Sequence, residues 1–414
     1  MNNIKEIRKL ALYCESCITK PCQLGCPLNN DITDFIRYIK EKKYKDAYEV
    51  LSKTTVIPSL CGRICPHEKQ CQGSCVKNVS YESVRIGELE AFIGDMSIKN
   101  NWKIKSSSKT KYNVAVIGSG PAGLTCAAFL RRNGIGVTIY EQYDYLGGLL
   151  VHGIPDFRLP KDLVKEVIDR IINLGISVKY NMKLGRDITL GELERKHDAV
   201  FLGIGANISK MMGIEGEELE GVYGANELIE HNINVDFKDK VVIVSGGGNV
   251  AMDVSRSIKR LGARKVIVIY RRSEKEMPAE KKEVIDAKNE GIKFLFQTNI
   301  LRILGDKKVE KVEVVKTKIF KDEKGIPITI NGTNRNILCD YVVMAIGSDA
   351  DSEIVNSFNL DLDKRGKVDI DKVGNTSRLG IFAGGDVAGI KGTVAWAARS
   401  GRNAAYEIIN YLDK

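Results

Sequence analysis

Two stretches of the chain share one layout: an apolar strand, a glycine-rich turn, a helix and a second strand. The first reads YNVAVIGSGPAGLTCAAFLRRNGIGVTIYEQ and the second reads DKVVIVSGGGNVAMDVSRSIKRLGARKVIVIYRRSE. Strands that alternate with helices are typical of a mostly parallel sheet covered on both faces. This internal duplication predicts two Rossmann-like dinucleotide-binding folds in one chain.

The first glycine turn directly follows the strand NVAVI and opens a helix. In such a turn one glycine makes the tight bend, the next lets backbone amides approach a pyrophosphate, and the third lets the helix pack on the strand. The helix N-terminus favours the negative charge of the phosphate. An acid at the end of the next strand is placed to accept hydrogen bonds from a ribose. The predicted cofactor-binding residues of this unit are Gly118, Gly120, Pro121, Ala122, Gly123 and Glu141.

The second glycine turn differs from the first at the end of its following strand. There Arg271 and Arg272 stand where the first unit has its acid. An acid would repel a 2′-phosphate, whereas guanidinium groups bind it, so we expect NADPH over NADH. The alternative is that both arginines are solvated surface. Together the two folds predict FAD in the first and NADPH in the second, whose turn contributes Gly246, Gly248, Asn249, Val250 and Ala251.

The N-terminal part of the chain is rich in cysteine, with the run CESCITKPCQLGCP at residues 14–27 and a second run at Cys61, Cys65, Cys71 and Cys75. In a reducing compartment such residues indicate metal or redox chemistry before disulfides. Zinc sites prefer two separated CxxC pairs, and only one occurs here. Closely spaced cysteines that end in Cys-Pro favour two [4Fe-4S] clusters, with zinc as the alternative. Eight cysteines would fill two all-cysteine sites.

The organisation of the chain follows from these motifs. Apolar residues at near-helical spacing in DITDFIRYIKEKKYKDAYEVLSK predict a small helical domain, and the polar stretch 99–113 marks its end. The expected fold class is α+β multidomain, with an N-terminal α-helical iron–sulfur domain followed by two nested Rossmann-like α/β folds. The predicted domains are residues 1–105, residues 106–235 together with 345–414, and residues 236–344. Residues 317–340 are predicted to form a β-hairpin inserted in the last of these.

Charge and hydropathy exclude several classes of protein. Lys and Arg number 63 against 53 Asp and Glu, but they are spread along the chain and form no basic arm. We therefore expect a basic surface without nucleic-acid binding; an acidic partner or a polyanion is the alternative. No stretch approaches the roughly 18 apolar residues of a membrane span, and the first ten residues lack the apolar core of a signal peptide. A cytoplasmic protein without membrane contact is expected.

A series of motifs follows along the chain: CESCITKPCQLGCP, CGRICPHEKQC, GSGPAGL, GGLLVHGIPDFRLP, GGGNVAMD, YRRSEKEMPA and IFAGGD. In this order they resemble the small subunit of NADPH-dependent glutamate synthase. They equally resemble the N-terminal half of dihydropyrimidine dehydrogenase and the large subunit of NADH-dependent ferredoxin:NADP oxidoreductase. The resemblance covers almost the whole chain. It implies an electron-input module in which FAD accepts hydride from a nicotinamide and two clusters pass on single electrons.

The resemblance also implies roles for individual residues. One cluster would take Cys14, Cys17, Cys22 and Cys75, here called the first cysteine set, and the other Cys26, Cys65 and Cys71, the second cysteine set, with Glu90 as fourth ligand. Cys61 would then be a packing residue, contrary to the all-cysteine count. Near the flavin, the resemblance implies Arg158, Gly147, Gly148, Gly385 and Asp386, and near the nicotinamide the run AIGS with Gly347. No catalytic acid or base is singled out, because hydride transfer depends on positioning.

The resemblance implies an electron-input subunit with an acceptor on a partner, which is an FMN-containing or other acceptor subunit in a hetero-oligomer. The glutamate synthase small subunit is the first interpretation. The alternatives are a dihydropyrimidine dehydrogenase subunit, a ferredoxin:NADP oxidoreductase or sulfide dehydrogenase subunit, and a non-catalytic assembly subunit whose clusters are structural. Reduction of a dye by NADPH distinguishes the last from the others.

Overall fold

The computed structural model describes residues 4–79, 81–108, 110–230, 235–319 and 327–413. The chain forms two compact units. Unit 1 comprises Met1–Val151, Asp156–Ala206 and Ala350–Lys414, and unit 2 comprises His152–Pro155 and Asn207–Asp349. Unit 1 therefore combines the predicted iron–sulfur region with most of the predicted first dinucleotide fold. The division into three domains stays a prediction.

Helices and strands alternate after a wholly helical beginning. The helices are α1 (Ile4–Leu12), α2 (Pro21–Gly25), α3 (Ile32–Lys40), α4 (Tyr44–Ser52), α5 (Pro58–Ile64), α6 (Ile86–Lys99), α7 (Pro121–Arg132), α8 (Lys161–Ile172), α9 (Leu190–Lys196), α10 (Ala225–Glu230), α11 (Asn249–Arg260), α12 (Lys281–Asn289), α13 (Ser352–Ser357) and α14 (Val394–Leu412). The strands are β1 (Asn113–Ile117), β2 (Gly136–Tyr140), β3 (Ser177–Lys179), β4 (Ala199–Leu202), β5 (Ile208–Ser209), β6 (Val222–Gly224), β7 (Val241–Ser245), β8 (Lys265–Tyr270), β9 (Lys293–Phe296), β10 (Thr298–Leu304), β11 (Lys311–Lys318), β12 (Ile328–Thr329), β13 (Arg335–Leu338), β14 (Tyr341–Met344), β15 (Ser348–Asp349) and β16 (Ile381–Ala383).

The N-terminal helices of unit 1 pack around an apolar core. The helical pattern predicted for residues 31–53 forms two helices, α3 and α4, because the chain turns at Lys42 with a φ of 61°. Asp31 caps α3 by accepting a hydrogen bond from the Asp34 amide. Phe35 and Leu51 are fully buried in the core that these helices share with α1 and α6.

A parallel sheet in the order β16-β4-β1-β2-β3 forms the rest of unit 1. Its central strands β1 and β4 are almost fully buried, as expected for a sheet covered on both faces. Helix α14 packs closely on α7 at Gly401. A Cβ at this position would lie 2.0 Å from the Ala122 carbonyl oxygen, so a glycine is needed there. The predicted first Rossmann-like fold is thus present in unit 1.

Unit 2 contains a second parallel sheet in the order β6-β14-β7-β8-β9. Beside it an antiparallel sheet pairs β11 with β10, β12 and β13. The predicted hairpin corresponds to β11, β12 and β13, although its residues 320–326 lie outside the described residues. In the described part of the chain, no helix is long and apolar enough to cross a membrane.

Candidate cofactor and metal centres

The first glycine turn has the geometry that its three glycines predict. Gly118 has a φ of 88°, and a Cβ there would lie 2.6 Å from the Gly203 carbonyl oxygen. A Cβ at Gly123 would lie 2.0 Å from the Gly118 oxygen, so only glycine lets α7 pack on the turn. At Gly120, the residue before α7, no atom lies within 4 Å of such a Cβ. The turn is therefore closed on its inner side and open at the helix N-terminus, where a pyrophosphate is expected.

The carboxylate predicted to bind a ribose is held at this turn. Glu141 is 4% exposed and follows β2, the parallel neighbour of β1. Its Oε2 accepts hydrogen bonds from the Ser119 amide at 2.9 Å and from the Ser119 hydroxyl at 2.5 Å, and its Oε1 accepts one from the Tyr143 amide at 3.1 Å. A carboxylate has about four lone-pair sites, so acceptor capacity remains for a ribose hydroxyl.

Two further glycine segments reach the same turn. Gly148, with a φ of 51°, approaches Gly120 so closely that a Cβ would lie 3.2 Å from the Gly120 Cα. Gly385, with a φ of 72°, approaches the Ala122 side chain to the same distance. The structure thus brings together three of the predicted flavin-binding segments, which lie far apart in the sequence.

The other predicted flavin-side residues lie near these segments in the chain. Gly147 has a φ of 122° and precedes the short 3₁₀ turn Gly148–Leu150. Asp386 is half-buried, and burial raises the pKa of its carboxyl. Arg158 is half-buried before α8. Their contacts with a flavin stay predictions.

Unit 2 repeats the arrangement at its own glycine turn. Gly246 has a φ of 143°, and a Cβ there would lie 2.2 Å from the Ala345 carbonyl oxygen. No atom lies within 4 Å of a Cβ at Gly248, the residue before α11, and Ala251 is fully buried. Val250 is 40% exposed. The second turn is therefore also open at its helix N-terminus.

The segment after β8 lies beside this turn, because β7 and β8 are parallel neighbours. The Arg271 carbonyl accepts a hydrogen bond from the Thr317 hydroxyl, and the Arg272 carbonyl accepts one from the Gln297 amide. The Arg271 side chain is exposed, and the buried Nε of Arg272 has no hydrogen-bond partner in the described residues. These hydrogen bonds hold the backbone of Arg271 and Arg272 in place, while their guanidinium groups can donate hydrogen bonds to an anion.

Asn249 and Gly347 are two further residues predicted to bind the nucleotide. The side chain of Asn249 accepts a hydrogen bond from the Glu280 amide at 2.9 Å, which ties the loop before α12 to the start of α11. Gly347 is exposed with a φ of 124° next to β15. Contact of Gly347 with a nicotinamide stays a prediction.

The four cysteines of the first set line one cavity. Cys14 and Cys17 lie in the loop before α2, Cys22 lies in α2, and Cys75 lies far along the chain before the 3₁₀ turn Val76–Val79. Much of the remaining wall is apolar, including Ile32 and Ile36. Folding thus gathers four thiols from two segments around one space.

The second cysteine set is more deeply buried. Burial, followed by the nearby Glu90 carboxylate, raises the pKa of Cys26 to about 12. A hydrogen bond with Cys61 is the main reason that the pKa of Cys65 is raised, and burial is the main reason for Cys71. The Glu90 carboxylate interacts electrostatically with Cys26, Cys65 and Cys71, and the Cys71 thiol interacts with Cys26 and Cys65. Cys26, Cys65, Cys71, Cys61 and Glu90 therefore form one buried neighbourhood.

Glu90 is held in this neighbourhood by a side-chain hydrogen bond. Asn30 Nδ2 donates to Glu90 Oε1 at 3.1 Å, and burial raises the pKa of Glu90 to about 8 despite that bond. Glu90 and Cys61 both stand beside the second cysteine set, so either has access to it.

The chemistry of both sets fits iron–sulfur clusters. No three His, Cys, Asp or Glu side chains among the described residues converge closely enough to hold a single metal ion. A [4Fe-4S] cluster binds each cysteine through a different iron, so its ligands surround a cavity instead of meeting at one point. Burial disfavours the thiolate form, whereas a bound metal deprotonates a coordinating thiol outright.

Several side chains that support these centres were not predicted. Ser119 lies inside the GSG motif, and its hydroxyl accepts a hydrogen bond from the Gly147 amide at 3.0 Å while donating to Glu141. Ser400 accepts one from the Gly385 amide at 2.9 Å. A hydroxyl inside the glycine motif was a signal for Ser119. For Ser400 no local pattern indicates the contact, because it depends on how α14 packs.

Comparisons with known proteins agree with this geometry. Residues 112–402 match the pyridine nucleotide-disulphide oxidoreductase family, and residues 2–102 match dihydropyrimidine dehydrogenase domain II, 4Fe-4S cluster. The chain is 35% identical to the glutamate synthase [NADPH] small chain of Escherichia coli K12, over 97% of this chain and 90% of that protein. It is 35% identical to the NADP⁺-dependent formate dehydrogenase subunit beta of Moorella thermoacetica, over 95% of this chain and 60% of that protein.

A solved structure, Mycobacterium tuberculosis FprA in complex with NADPH, shares the fold with a TM-score of 0.63 at 19% identity, over 73% of this chain and 85% of that one. Fold and motifs define an FAD-dependent NADPH oxidoreductase with an N-terminal iron–sulfur domain. The chain belongs to the pyridine nucleotide-disulphide oxidoreductase family, in the group that contains the glutamate synthase small chains.

Proposed function

We propose that the chain is an electron-input subunit, most specifically a glutamate synthase small subunit, which passes electrons from NADPH through FAD and two [4Fe-4S] clusters to a partner. The observation that carries this proposal is the cavity lined by Cys14, Cys17, Cys22 and Cys75. It lies in the same compact unit as the open glycine turn at Gly120. A thiol-lined cavity and a dinucleotide turn in one unit support electron transfer between their cofactors.

The residues of unit 1 position the flavin. The amides at the start of α7 face the open side of the turn and bind the pyrophosphate, while Glu141, oriented by Ser119, binds the ribose. Gly148 and Gly385 flank the turn without side chains, so backbone comes close to the cofactor. When bound, NADPH and FAD would supply hydride transfer, and the iron–sulfur clusters would supply single-electron transfer.

The residues of unit 2 select the nucleotide. The start of α11 binds the pyrophosphate of NADPH, and Arg271 with Arg272 binds its 2′-phosphate. Both arginines follow the carboxyl end of β8, next to the glycine turn after β7. This arrangement supports the expectation that NADPH is preferred.

We expect the isolated chain to reduce a dye with NADPH, with kcat/KM for NADPH at least about tenfold above that for NADH, since a charge-assisted hydrogen bond contributes about 1.5–3 kcal/mol. Steady-state kinetics with both nucleotides checks this. Arg271→Ala should reduce the preference, whereas Arg335→Ala, on β13, serves as a control for loss of a surface arginine and should not. A preference for NADH in the unaltered chain would refute the assignment.

The cysteine sets hold the clusters in this proposal. Cys14, Cys17, Cys22 and Cys75 hold one, and Cys26, Cys65 and Cys71 hold the other with Glu90. The Asn30 hydrogen bond orients the Glu90 carboxylate toward the buried neighbourhood of the second set. Cys61 then stays a packing residue whose thiol contacts Cys65.

Iron content tests this ligand choice. Cys61→Ser should retain all iron and acid-labile sulfide, because the thiol is a packing group. Glu90→Ala should lose or alter one cluster, while Glu90→Gln, which keeps an oxygen donor, should retain it. Iron, sulfide and electron paramagnetic resonance (EPR) spectra of anaerobically purified protein measure all three variants. Loss of one cluster in Cys61→Ser together with normal clusters in Glu90→Ala would reverse the choice.

The acceptor belongs to a partner subunit in this proposal. Apolar side chains stand exposed in the segments that carry the first cysteine set: Ile18, Leu24, Val79 and Tyr81 are between 74% and 97% exposed. Exposed apolar side chains beside a proposed redox centre support an interaction site there. A partner that covers these side chains would receive electrons close to the first cysteine set.

Reconstitution with candidate partners tests the finer assignment. With a glutamate synthase large subunit, NADPH should support formation of glutamate from glutamine and 2-oxoglutarate. NADPH-dependent reduction of uracil with a pyrimidine-reducing partner would favour the dihydropyrimidine dehydrogenase interpretation instead. Failure of the flavin-loaded, cluster-containing chain to reduce any dye with NADPH would favour the non-catalytic assembly subunit.

A further inference from the structure

Three consecutive residues of α14 connect different parts of unit 1. Ser400 accepts a hydrogen bond from Gly385, Gly401 packs against Ala122 at the start of α7, and Arg402 reaches into the N-terminal helical region. The first two contacts lie at the proposed flavin site. One turn of helix therefore touches both the flavin side and the cysteine side of the unit.

Arg402 makes its contacts beside the second cysteine set. Its Nη1 donates to the carbonyl oxygens of Leu28 and Thr54, each at 2.8 Å, and the residue is 9% exposed. Leu28 lies two positions after Cys26, and the Arg402 guanidinium interacts electrostatically with Cys26. The charge of Arg402 is thus buried close to a proposed cluster ligand.

A chain of hydrogen bonds continues from this contact to the proposed fourth ligand. The Thr54 hydroxyl donates to Asn30 Oδ1 at 2.6 Å, and Asn30 Nδ2 donates to Glu90 Oε1 at 3.1 Å. Arg402 fixes the Thr54 backbone from which this path starts. The position of α14 is therefore linked to the orientation of Glu90.

Among the described residues, the charge of Arg402 has no carboxylate partner. Across the described ranges, no Asp or Glu lies within ion-pair distance of its guanidinium. A buried charge without a counter-charge is strongly unfavourable. A cluster bound by thiolates and a carboxylate carries net negative charge and would supply that counter-charge.

We propose that Arg402 is a positioning residue for the second cluster: it fixes the loop after Cys26 to the helix that borders the flavin, and its charge raises the reduction potential of that cluster. This inference rests on the proposed function, because it requires the clusters. Reduction makes a cluster more negative by one charge, so a buried cation nearby favours the reduced state.

The test compares three variants of the full, anaerobically purified, flavin-loaded chain by EPR-monitored redox titration. Arg402→Gln should shift the potential of one cluster to a more negative value and leave the other unchanged. Arg402→Lys keeps the positive charge and should shift the same potential by less. Arg132→Gln is the matched control, because Arg132 of α7 also crosses to the helical region, where it donates to the Ser52 carbonyl at 2.5 Å, without contacting a cysteine set.

The outcomes separate this inference from the proposed function. A wild-type potential in Arg402→Gln, or an equal shift in Arg132→Gln, would overturn the role of Arg402 while the clusters themselves stand. If Arg402→Gln does not fold, Arg402→Met, which also removes the charge, takes its place, and a wild-type potential in Arg402→Met overturns the role equally. Unaltered protein without iron and acid-labile sulfide would overturn the proposed function, and this inference with it.

Discussion

Gly120→Asp should give a folded chain that has lost its flavin. The position has an extended backbone, with φ of −66° and ψ of −179°, and no atom lies within 4 Å of a Cβ there. The Cβ of an aspartate therefore meets no neighbouring atom, and we expect its carboxylate to occupy the place of the pyrophosphate. Like charges in contact cost several kcal/mol, so we expect FAD affinity to fall by about 100-fold or more. Flavin absorbance and fluorescence after gel filtration measure the loss.

The equivalent change in the second turn is the matched control. Gly248 is also extended, with φ of −90° and ψ of 178°, and is equally open. Gly248→Asp should keep its flavin, remain reducible by dithionite and lose reduction by NADPH. Full flavin content in Gly120→Asp, or loss of flavin in Gly248→Asp, would show that the two turns do not divide the cofactors as proposed.

Cys22→Ser should lose one of two clusters. Cys22 lines the cavity of the first cysteine set, where a serine hydroxyl is a much poorer ligand for iron than a thiolate. We expect iron and acid-labile sulfide to fall by about half, and one EPR signal of the reduced protein to disappear. Flavin reduction by NADPH should persist, because the flavin site lies at the glycine turn.

Cys126→Ala is the control for loss of a buried thiol. Cys126 is fully buried in α7, away from both cysteine sets, and burial alone raises its pKa. This variant should keep all iron, with at most a modest loss of stability. Normal iron content in Cys22→Ser, or zinc in the unaltered protein, would contradict the cluster assignment.

Local backbone requirements explain which features could be predicted. Gly118 and Gly123 are needed wherever a strand turns directly into a helix, because a side chain at either position would meet backbone within 3 Å. That requirement is visible in a few consecutive residues. The alternation of strands with helices and the polar segment that follows α6 are also visible in the local sequence. The fold class was therefore predicted correctly from patterns alone.

Other features depend on which surfaces meet. The break at Lys42 divides the predicted helical stretch into α3 and α4, although the apolar residues of both halves follow one helical period. The orientation of Glu141 by Ser119 requires β1 and β2 to lie side by side. Cys75 joins Cys14 at one cavity only after α2 and the later 3₁₀ turn come together. Spacing alone predicted clusters, while the grouping of ligands came from the resemblance.

The amino-acid sequence by itself determined the two dinucleotide turns, the arginines that follow the second and the thiol-rich N-terminal region, because each depends on residue types within a short segment. Only the tertiary structure decided that Arg402 contacts Leu28, a residue 374 positions away, and that Ser400 holds Gly385. The physical reason is that local conformational preferences act over a few residues, whereas contacts between distant segments are selected by the packing of whole helices and sheets.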